Sequence, residues 1–200
     1  MIGRLGLLMV ALLFSLLFLT SPMAYIFQSE RLGFRQWLPS DLVSFASMMA
    51  DERVMEYYPA KKTSEETAAY IDKQATYLEQ HGFGLYAVDL LDQQQFIGYI
   101  GLKRFEFAVP FAPGIEIGWR LSPEVWGLGL ATEGALACLN HGWTALGFEK
   151  IYSFTALPNK RSERVMQKIG MLKTGEFDHP MLEKGHWLNR HVLYEIERPA

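Results

Sequence analysis

The 200-residue sequence is poor in cysteine and in clustered positive charge. Its single cysteine, Cys138, excludes a disulfide within the chain and favours a reducing compartment. No run of Lys or Arg exceeds two residues and the formal net charge is −3, so the sequence gives no sign of nucleic-acid binding. We find no internal repeat and no low-complexity segment, which leaves one globular domain as the expected organisation.

Hydrophobic residues make up 50% of the chain and charged residues 20%, which is typical of a globular domain with a sizeable core. Cys138 is therefore interpreted as a buried core thiol. A nucleophilic role would need a base oriented by an acid, and only His141, three residues on, lies close in sequence.

Hydrophobic periodicity predicts a strand, two helices, three strands, a helix, a strand, a helix and two final strands. Thr63 and Glu66 form a capping box at the start of one helix, which Gly82 should end, and Ser40 offers an N-cap to the helix before it. The central strand, 114–121, should pair in parallel with the strand at 149–156 through a right-handed crossover. The other predicted ranges are strands at 30–38, 84–90, 96–104, 172–177 and 190–196, and helices at 42–49, 63–82, 130–147 and 159–170.

A glycine turn follows the central strand where a helix must begin, with the sequence Trp126-Gly127-Leu128-Gly129-Leu130-Ala131. Glycine lets the backbone approach a ligand closely, and the first N–H groups of a helix attract anions. This pattern predicts a site for the phosphate of a nucleotide-like cofactor. A P-loop needs Lys and then Ser or Thr after the last glycine, and a dinucleotide fingerprint needs Gly or Ala where Thr132 stands, so both fit badly.

With its surroundings, the turn resembles the motif Gln/Arg-x-x-Gly-x-Gly/Ala of the GNAT superfamily of acyl-CoA N-acyltransferases. Trp126 departs from the Gln/Arg preference, but Trp-Gly-x-Gly followed by Ala-Thr-Glu is similar to the branch that includes the ribosomal-protein N-terminal acetyltransferases. The likeness covers about residues 30 to 197. Three other stretches carry the resemblance. The first is 30–35 with Asp41-Leu42, the second is 159–162 with Val165 and 168–170, and the third is 191–194.

The resemblance implies an α/β fold with a central mixed sheet flanked by helices, and acetyl-CoA as co-substrate without a metal. In that family the central strand and the strand after the cofactor helix splay apart, and the pantetheine arm lies between them, bonded by the backbone of residues 119–121. The residues expected to contact the cofactor are Trp119, Arg120, Leu121, Trp126, Gly127, Leu128, Gly129, Leu130, Ala131, Thr132, Asn159 and Ser162.

Acyl transfer to an amine needs a base, because a lysine-like amine near pKa 10.4 is protonated at neutral pH. Glu116 on the central strand matches glutamates that serve this role in several GNAT enzymes, usually through water; otherwise it is a solvated carboxylate on an open sheet face. Some members place a tyrosine acid seven residues after the Asn, where this chain has Met166. Ser162 or water should then return a proton to the thiolate, although Asn159 and Ser162 are also good helix starters.

The acceptor is expected to be a primary amine, either a protein N-terminus or a small molecule. Tyr57-Tyr58-Pro59 either walls its pocket or packs on the sheet, and we prefer packing. The spacing of His179, His186 and His191 does not resemble a zinc site, so these histidines should line or cover the acceptor cleft. Glu133 is explained by the helix dipole. The alternative to an enzyme is a non-catalytic acyl-CoA sensor.

Residues 1–24 are a hydrophobic segment that precedes the single acetyltransferase domain expected at 25–200. The uncharged stretch from Leu5 to Phe27 spans 23 residues, enough for a membrane helix. Three interpretations remain open: a start site wrongly placed ahead of Met23, a membrane anchor, or a secretion signal with a poor cleavage site. The first is preferred, with a cytoplasmic protein, because the resemblance implies a cytosolic cofactor pool. Oligomeric state is not predicted.

Overall fold

An eight-stranded mixed sheet forms the centre of the protein in the computed structural model, which describes residues 24–199. The strands are β1 (Phe27–Gln28), β2 (Leu32–Arg35), β3 (Leu85–Leu90), β4 (Gln95–Phe105), β5 (Gly114–Leu121), β6 (Lys150–Ala156), β7 (Leu172–Asp178) and β8 (Arg190–Glu197). The helices are α1 (Asp41–Ala50), α2 (Glu52–Met55), α3 (Ser64–His81), α4 (Leu130–Thr144) and α5 (Lys160–Lys168), with a 3₁₀ turn at Pro123–Val125.

The strands lie in the order β1-β2-β3-β4-β5-β6-β8-β7. Neighbours are antiparallel except β5 and β6, which run parallel as the helical crossover predicted. The predicted α/β fold is therefore confirmed. Three short elements were not predicted: β1, which pairs with β2, the four-residue helix α2, and the 3₁₀ turn at Pro123–Val125.

The helix ends follow local sequence signals, except at the start of α1 and at the end of α4, which stops at Thr144 instead of the predicted Gly147. At α3, Thr63 and Glu66 form the predicted capping box, and Gly82 ends the helix with φ 73°. Ser40 occupies the N-cap position of α1, but its side chain makes no capping hydrogen bond. The carboxylate of Asp41 instead accepts from the Leu38 backbone N–H at 2.9 Å, because Asp41 belongs to a buried ionic network.

That network joins β2, β3 and α1 through one guanidinium. Arg35 donates to both carboxylate oxygens of Asp89, each at 2.7 Å, and to both oxygens of Asp41, each at 2.8 Å. All three side chains are buried. One guanidinium thus makes two bidentate ion pairs, which give both buried carboxylates charged hydrogen-bond donors.

Apolar side chains pack on both faces of the sheet. The larger cluster involves α4 and α5, and includes Phe34, Tyr86, Ile117 and Leu139. The smaller cluster involves α1 and α3 and includes Trp37, Phe45, Met49, Ile71 and Tyr99. Cys138 belongs to the larger cluster and is buried, and burial raises the pKa of its thiol.

Among residues 24–199, no helix is both long and apolar enough to cross a membrane. The hydrophobic segment assigned to residues 1–24 lies, except for its last residue, outside the described part of the chain.

Candidate active site

The sheet parts between β5 and β6. Among the described residues, Glu116 and Tyr152 are the one registered Cα pair between these strands, and the Ser153 hydroxyl donates to the Ile117 carbonyl at 3.0 Å just beyond it. Past that point, among the described residues, β5 continues to Leu121 without a strand paired on its β6 side. This is the splay that the resemblance predicted, and it leaves a gap beside residues 119–121.

The glycine turn lies at the open end of the gap. Gly127 and Gly129 both have φ 80°, a left-handed conformation that strains other residues, and both are exposed. Gly129 is the N-cap of α4 and makes no side-chain cap, so the first N–H groups of the helix remain available to a ligand. The Trp126 indole N–H donates to the Leu121 carbonyl at 2.8 Å, which holds the turn against the end of β5.

Arg31 supports the same turn from the hairpin of β1 and β2. Its guanidinium donates to the Leu128 carbonyl at 3.2 Å and to Glu133 at 2.6 Å, while Ser29 donates to Glu133 at 2.7 Å. Burial would raise the pKa of Glu133, but these hydrogen bonds outweigh it and hold the pKa below its usual value. Glu133 therefore anchors the hairpin, beyond the helix-dipole role predicted for it.

A cavity of about 420 Å³ runs along the gap and the turn. Its lining carries five cationic side chains and no carboxylate. Arg53 and Arg161 pair with Asp51 and Glu56, whereas Arg164 and Lys168, both exposed on α5, form no salt bridge among residues 24–199. The lining includes Arg53, Arg120, Arg161, Arg164 and Lys168 together with Trp119, Leu121, Trp126, Gly127, Gly129, Leu130, Ala131, Thr132, Asn159 and Ser162. Such a surface is complementary to phosphate groups.

Most of the residues predicted to contact the cofactor therefore converge on one cavity, although Leu128 is not among its lining residues. Of the five cations, Arg120 was predicted and the other four were not. Arg161, Arg164 and Lys168 lie three and four positions apart on one helix, a spacing that places them on one face and that could have been noticed. Arg53 comes from a different element, and nothing in the sequence connects it to the turn.

Asn159 and Ser162 start α5 at the edge of both cavities. The Asn159 side-chain carbonyl accepts from the Ser162 backbone N–H at 3.2 Å, and its amide donates to the Ser162 hydroxyl oxygen at 3.1 Å and to Thr155 at 2.9 Å. Asn159 is thus a helix cap, as its residue type allows. Because the Ser162 oxygen accepts from Asn159, the hydroxyl proton stays available for another acceptor.

A second cavity of about 640 Å³ adjoins the first. Tyr57 and Tyr58 line both cavities, so the loop for which packing was preferred does face the cleft, with Tyr58 also stacked on the Arg120 guanidinium. His179 and His191 line the second cavity as expected, but His186 is not among its lining residues. Burial and the neighbouring His191 lower the pKa of His179 to about 4, so it is neutral near pH 7.

Glu116 faces the second cavity beside the point where the sheet parts. Burial raises its pKa to about 7, while Lys103, its Cα partner on β4, works in the opposite direction. The side chain is half-buried and lines this open cavity. Met166, where a tyrosine acid would stand, is buried and has no proton to give. Among residues 24–199, no group of three or more potential ligands could hold a metal ion.

A mixed sheet that parts between its two parallel strands is the arrangement that the resemblance implied for an acyl-CoA-dependent acyltransferase. Residues 31–172 match the family described as Acetyltransferase (GNAT) domain, and the chain belongs to this family of acyl-CoA-dependent acetyltransferases.

Individual relatives agree with that assignment. The uncharacterized N-acetyltransferase YoaA of Bacillus subtilis (strain 168) is 27% identical over 177 residues, or 87% of this chain and 97% of that protein. The crystal structure of a GNAT-family acetyltransferase from Bacillus anthracis superposes with a TM-score of 0.72 at 26% identity, covering 85% of this chain and 96% of that one. The ribosomal-protein-S5-alanine acetyltransferase from Vibrio fischeri has a TM-score of 0.67 at 21% identity, covering 86% and 95%, and shares the fold.

Proposed function

We propose that this protein transfers the acetyl group of acetyl-CoA directly to a primary amine while both substrates are bound. The proposal rests on one observation, that the two cavities meet at β5. Tyr58, Trp119 and Arg120 line both of them, and Glu116 lies beside the junction. An acyl donor in one cavity and an amine in the other would therefore meet next to a carboxylate.

The donor would lie along the gap with its phosphates at the turn. The exposed N–H groups before α4, with Arg164 and Lys168 on α5, suit a pyrophosphate and a further phosphate. The Ile117 carbonyl points to β6, so by strand alternation the backbone groups of Trp119 face the gap and would bond the pantetheine amides. The Leu121 carbonyl, on the same side, already accepts from Trp126. When bound, acetyl-CoA supplies a thioester carbonyl for attack by the amine.

Glu116 would take the proton of the incoming ammonium group, directly or through a water molecule. A base works best when its pKa lies near the operating pH, and burial places that of Glu116 at about 7. The second proton that the nitrogen loses on forming the amide would pass to the departing sulfur through the Ser162 hydroxyl, oriented by Asn159, or through water. No step requires a covalent enzyme intermediate.

Release of free thiol from acetyl-CoA tests the proposal. The purified protein should release thiol with at least one amine from a broad panel, and should show a thermal shift with CoA that NAD and NADP do not produce. Tight acetyl-CoA binding without thiol release on the whole panel would favour the non-catalytic sensor instead.

A further inference from the structure

Charged side chains in the second cavity are mostly positive. The Asp, Glu, Lys and Arg residues that line it are Glu116, Lys62, Lys103 and Arg120. None of the three cations forms a salt bridge within the described part of the chain. The cavity thus holds three positive charges against one carboxylate, and that carboxylate is already assigned to the proton of the amine.

Arg120 is unusual among these cations because it is buried, with 8% of its surface exposed. Its guanidinium carbon lies 3.7 Å from the Tyr58 ring centre and 5.5 Å from that of Tyr99, and its Nη1 donates to the Met49 sulfur at 2.7 Å. Its Nε is buried without a hydrogen-bond partner. A buried cation that lacks a carboxylate is costly, and an anionic ligand would offset that cost.

The strand geometry leaves room for such a ligand between Arg120 and Glu116. Both side chains lie on the same face of β5, and the residue between them on that face is Gly118. A Cβ at Gly118 would have Glu116 Oε1, at 4.0 Å, as its nearest neighbour, so the space above this residue is open. Lys103 lies opposite Glu116 on β4. A bound molecule over Gly118 would therefore meet a base and two cations.

We propose that the acceptor is a primary amine whose body carries a carboxylate, with the amine at Glu116 and the carboxylate held by Arg120, Lys103 and Lys62. This inference rests on the proposed function and narrows its substrate. Tyrosine, phenylalanine and leucine side chains elsewhere in the lining suit an apolar body. Polyamines, which carry several positive charges and no negative one, would be repelled by the three cations.

Matched acceptors test this preference. Phenylalanine, phenylalaninamide and 2-phenylethylamine share one aromatic body and differ mainly in charge, and spermidine represents the polyamines. The peptide amides Ala-Glu-Phe and Ala-Gln-Phe extend the test to protein N-termini. We expect kcat/KM to be at least about tenfold higher for phenylalanine or the Glu peptide than for its neutral counterpart, and lowest for spermidine. A higher kcat/KM for phenylalanine would indicate a free amino acid as acceptor, and a higher kcat/KM for the Glu peptide would indicate a peptide.

Charge-reversal variants separate recognition of the acceptor's carboxylate from a general effect on the reaction rate. Lys103→Glu and Lys62→Glu should each lower the ratio of acidic to neutral kcat/KM by about tenfold, whatever they do to the rate itself. Lys61→Glu is the matched control, because Lys61 is exposed, pairs with Glu52 and does not line the cavity; its ratio should not change. Binding of acetyl-CoA should be unaltered in all three.

Three results would count against the inference in different ways. Thiol release that is equal or faster with the neutral amines or spermidine would refute the acidic acceptor and leave the acetyltransferase standing. Absence of release with every amine, while acetyl-CoA binds, would refute the proposed function and this inference with it. An unchanged ratio in Lys62→Glu and Lys103→Glu would remove these lysines from acceptor recognition.

Discussion

Burial, more than any neighbouring charge, sets the proton chemistry of the cleft. Glu116, His179 and His191 all line one cavity, and burial shifts the pKa of each towards its neutral form. For Glu116 the result is a pKa of about 7, so the carboxylate is uncharged in acid and gains its charge as the pH rises through 7.

This direction gives the first prediction. If Glu116 is the base, kcat/KM should rise with pH through a limb near 7, because the base form accumulates above that pKa. Glu116→Gln should lower kcat/KM by about 10²-fold or more and abolish the limb. Glu106→Gln, at an exposed carboxylate outside both cavities, should keep the wild-type profile. A limb that survives in Glu116→Gln would assign it to another group.

A second prediction concerns the Ser162 hydroxyl. Ser162→Ala keeps the backbone N–H that bonds Asn159, so the helix cap should survive and stability should change by only about 0.5 kcal/mol. kcat should nevertheless fall by about 10-fold to 100-fold if the hydroxyl protonates the leaving thiolate. Asn159→Ala should lose the cap as well, at about 1 kcal/mol. Thermal melting and thiol release measure the two effects separately, and an unchanged kcat in Ser162→Ala would make water the donor.

The sequence was informative about some of these residues and silent on others. Glu116, Asn159 and Ser162 stand in short local motifs, so their positions could be read directly. Lys62 and Lys103 come from a loop and a neighbouring strand, and only the folded sheet brings them to Glu116. Charges that converge from separate elements leave no local pattern.

Among the elements, the turn before α4 combines an unusual backbone with an open surface. Gly129 has φ 80°, so Gly129→Val would both strain the turn by about 1–2 kcal/mol and place a branched side chain in front of the α4 N-terminus. We expect its Kd for CoA to rise at least about tenfold, and Gly129→Asn, which tolerates this conformation better, to lose less.

Gly82→Val provides the control for strain alone. Gly82 has φ 73° and open space around its Cα, but it ends α3 away from both cavities. The Gly82→Val variant should lose about as much stability as Gly129→Val and keep its affinity for CoA. If both Val variants lose the same affinity for CoA, or if a folded Gly129→Val protein loses none, the turn does not belong to the donor site.

The buried network that fastens β2, β3 and α1 gives the fourth prediction. Arg35→Met removes the cation that Asp41 and Asp89 share, which leaves two buried carboxylates uncompensated, and should destabilise the protein by about 3–5 kcal/mol in urea unfolding. Asp178→Asn breaks an exposed pair with Arg190 and should cost less than about 1 kcal/mol. Similar small losses in both variants would show that the network adds little to stability.

Long periodic elements were predictable, whereas short ones were not. The capping box and Gly82 located α3 to within a residue, because these signals are local. The two-residue β1 and four-residue α2 are too short to show a period, and both depend on neighbouring elements for their conformation. The sequence does not reveal that Asp41 has an ionic partner, Arg35, in β2.

For the molecule as a whole, the family match begins at residue 31, and the residues that line the two cavities lie between 53 and 191. We therefore propose that residues 1–22 are not needed for catalysis. A chain beginning at Met23 should be monodisperse and retain acetyl-CoA binding and thiol release, measured by size exclusion, thermal shift and thiol assay. Aggregation or lost binding would mean that the hydrophobic segment packs against the domain.

The parting of β5 and β6 also bears on how the protein avoids unwanted association. Beyond Glu116, among the described residues, two facing rows of backbone groups have no strand between them, so the molecule carries two open sheet edges within its own interior. Open edges are templates for foreign strands. A donor lying in the gap would occupy these groups, and the same molecule that supplies the acetyl group would then protect the sheet from aggregation.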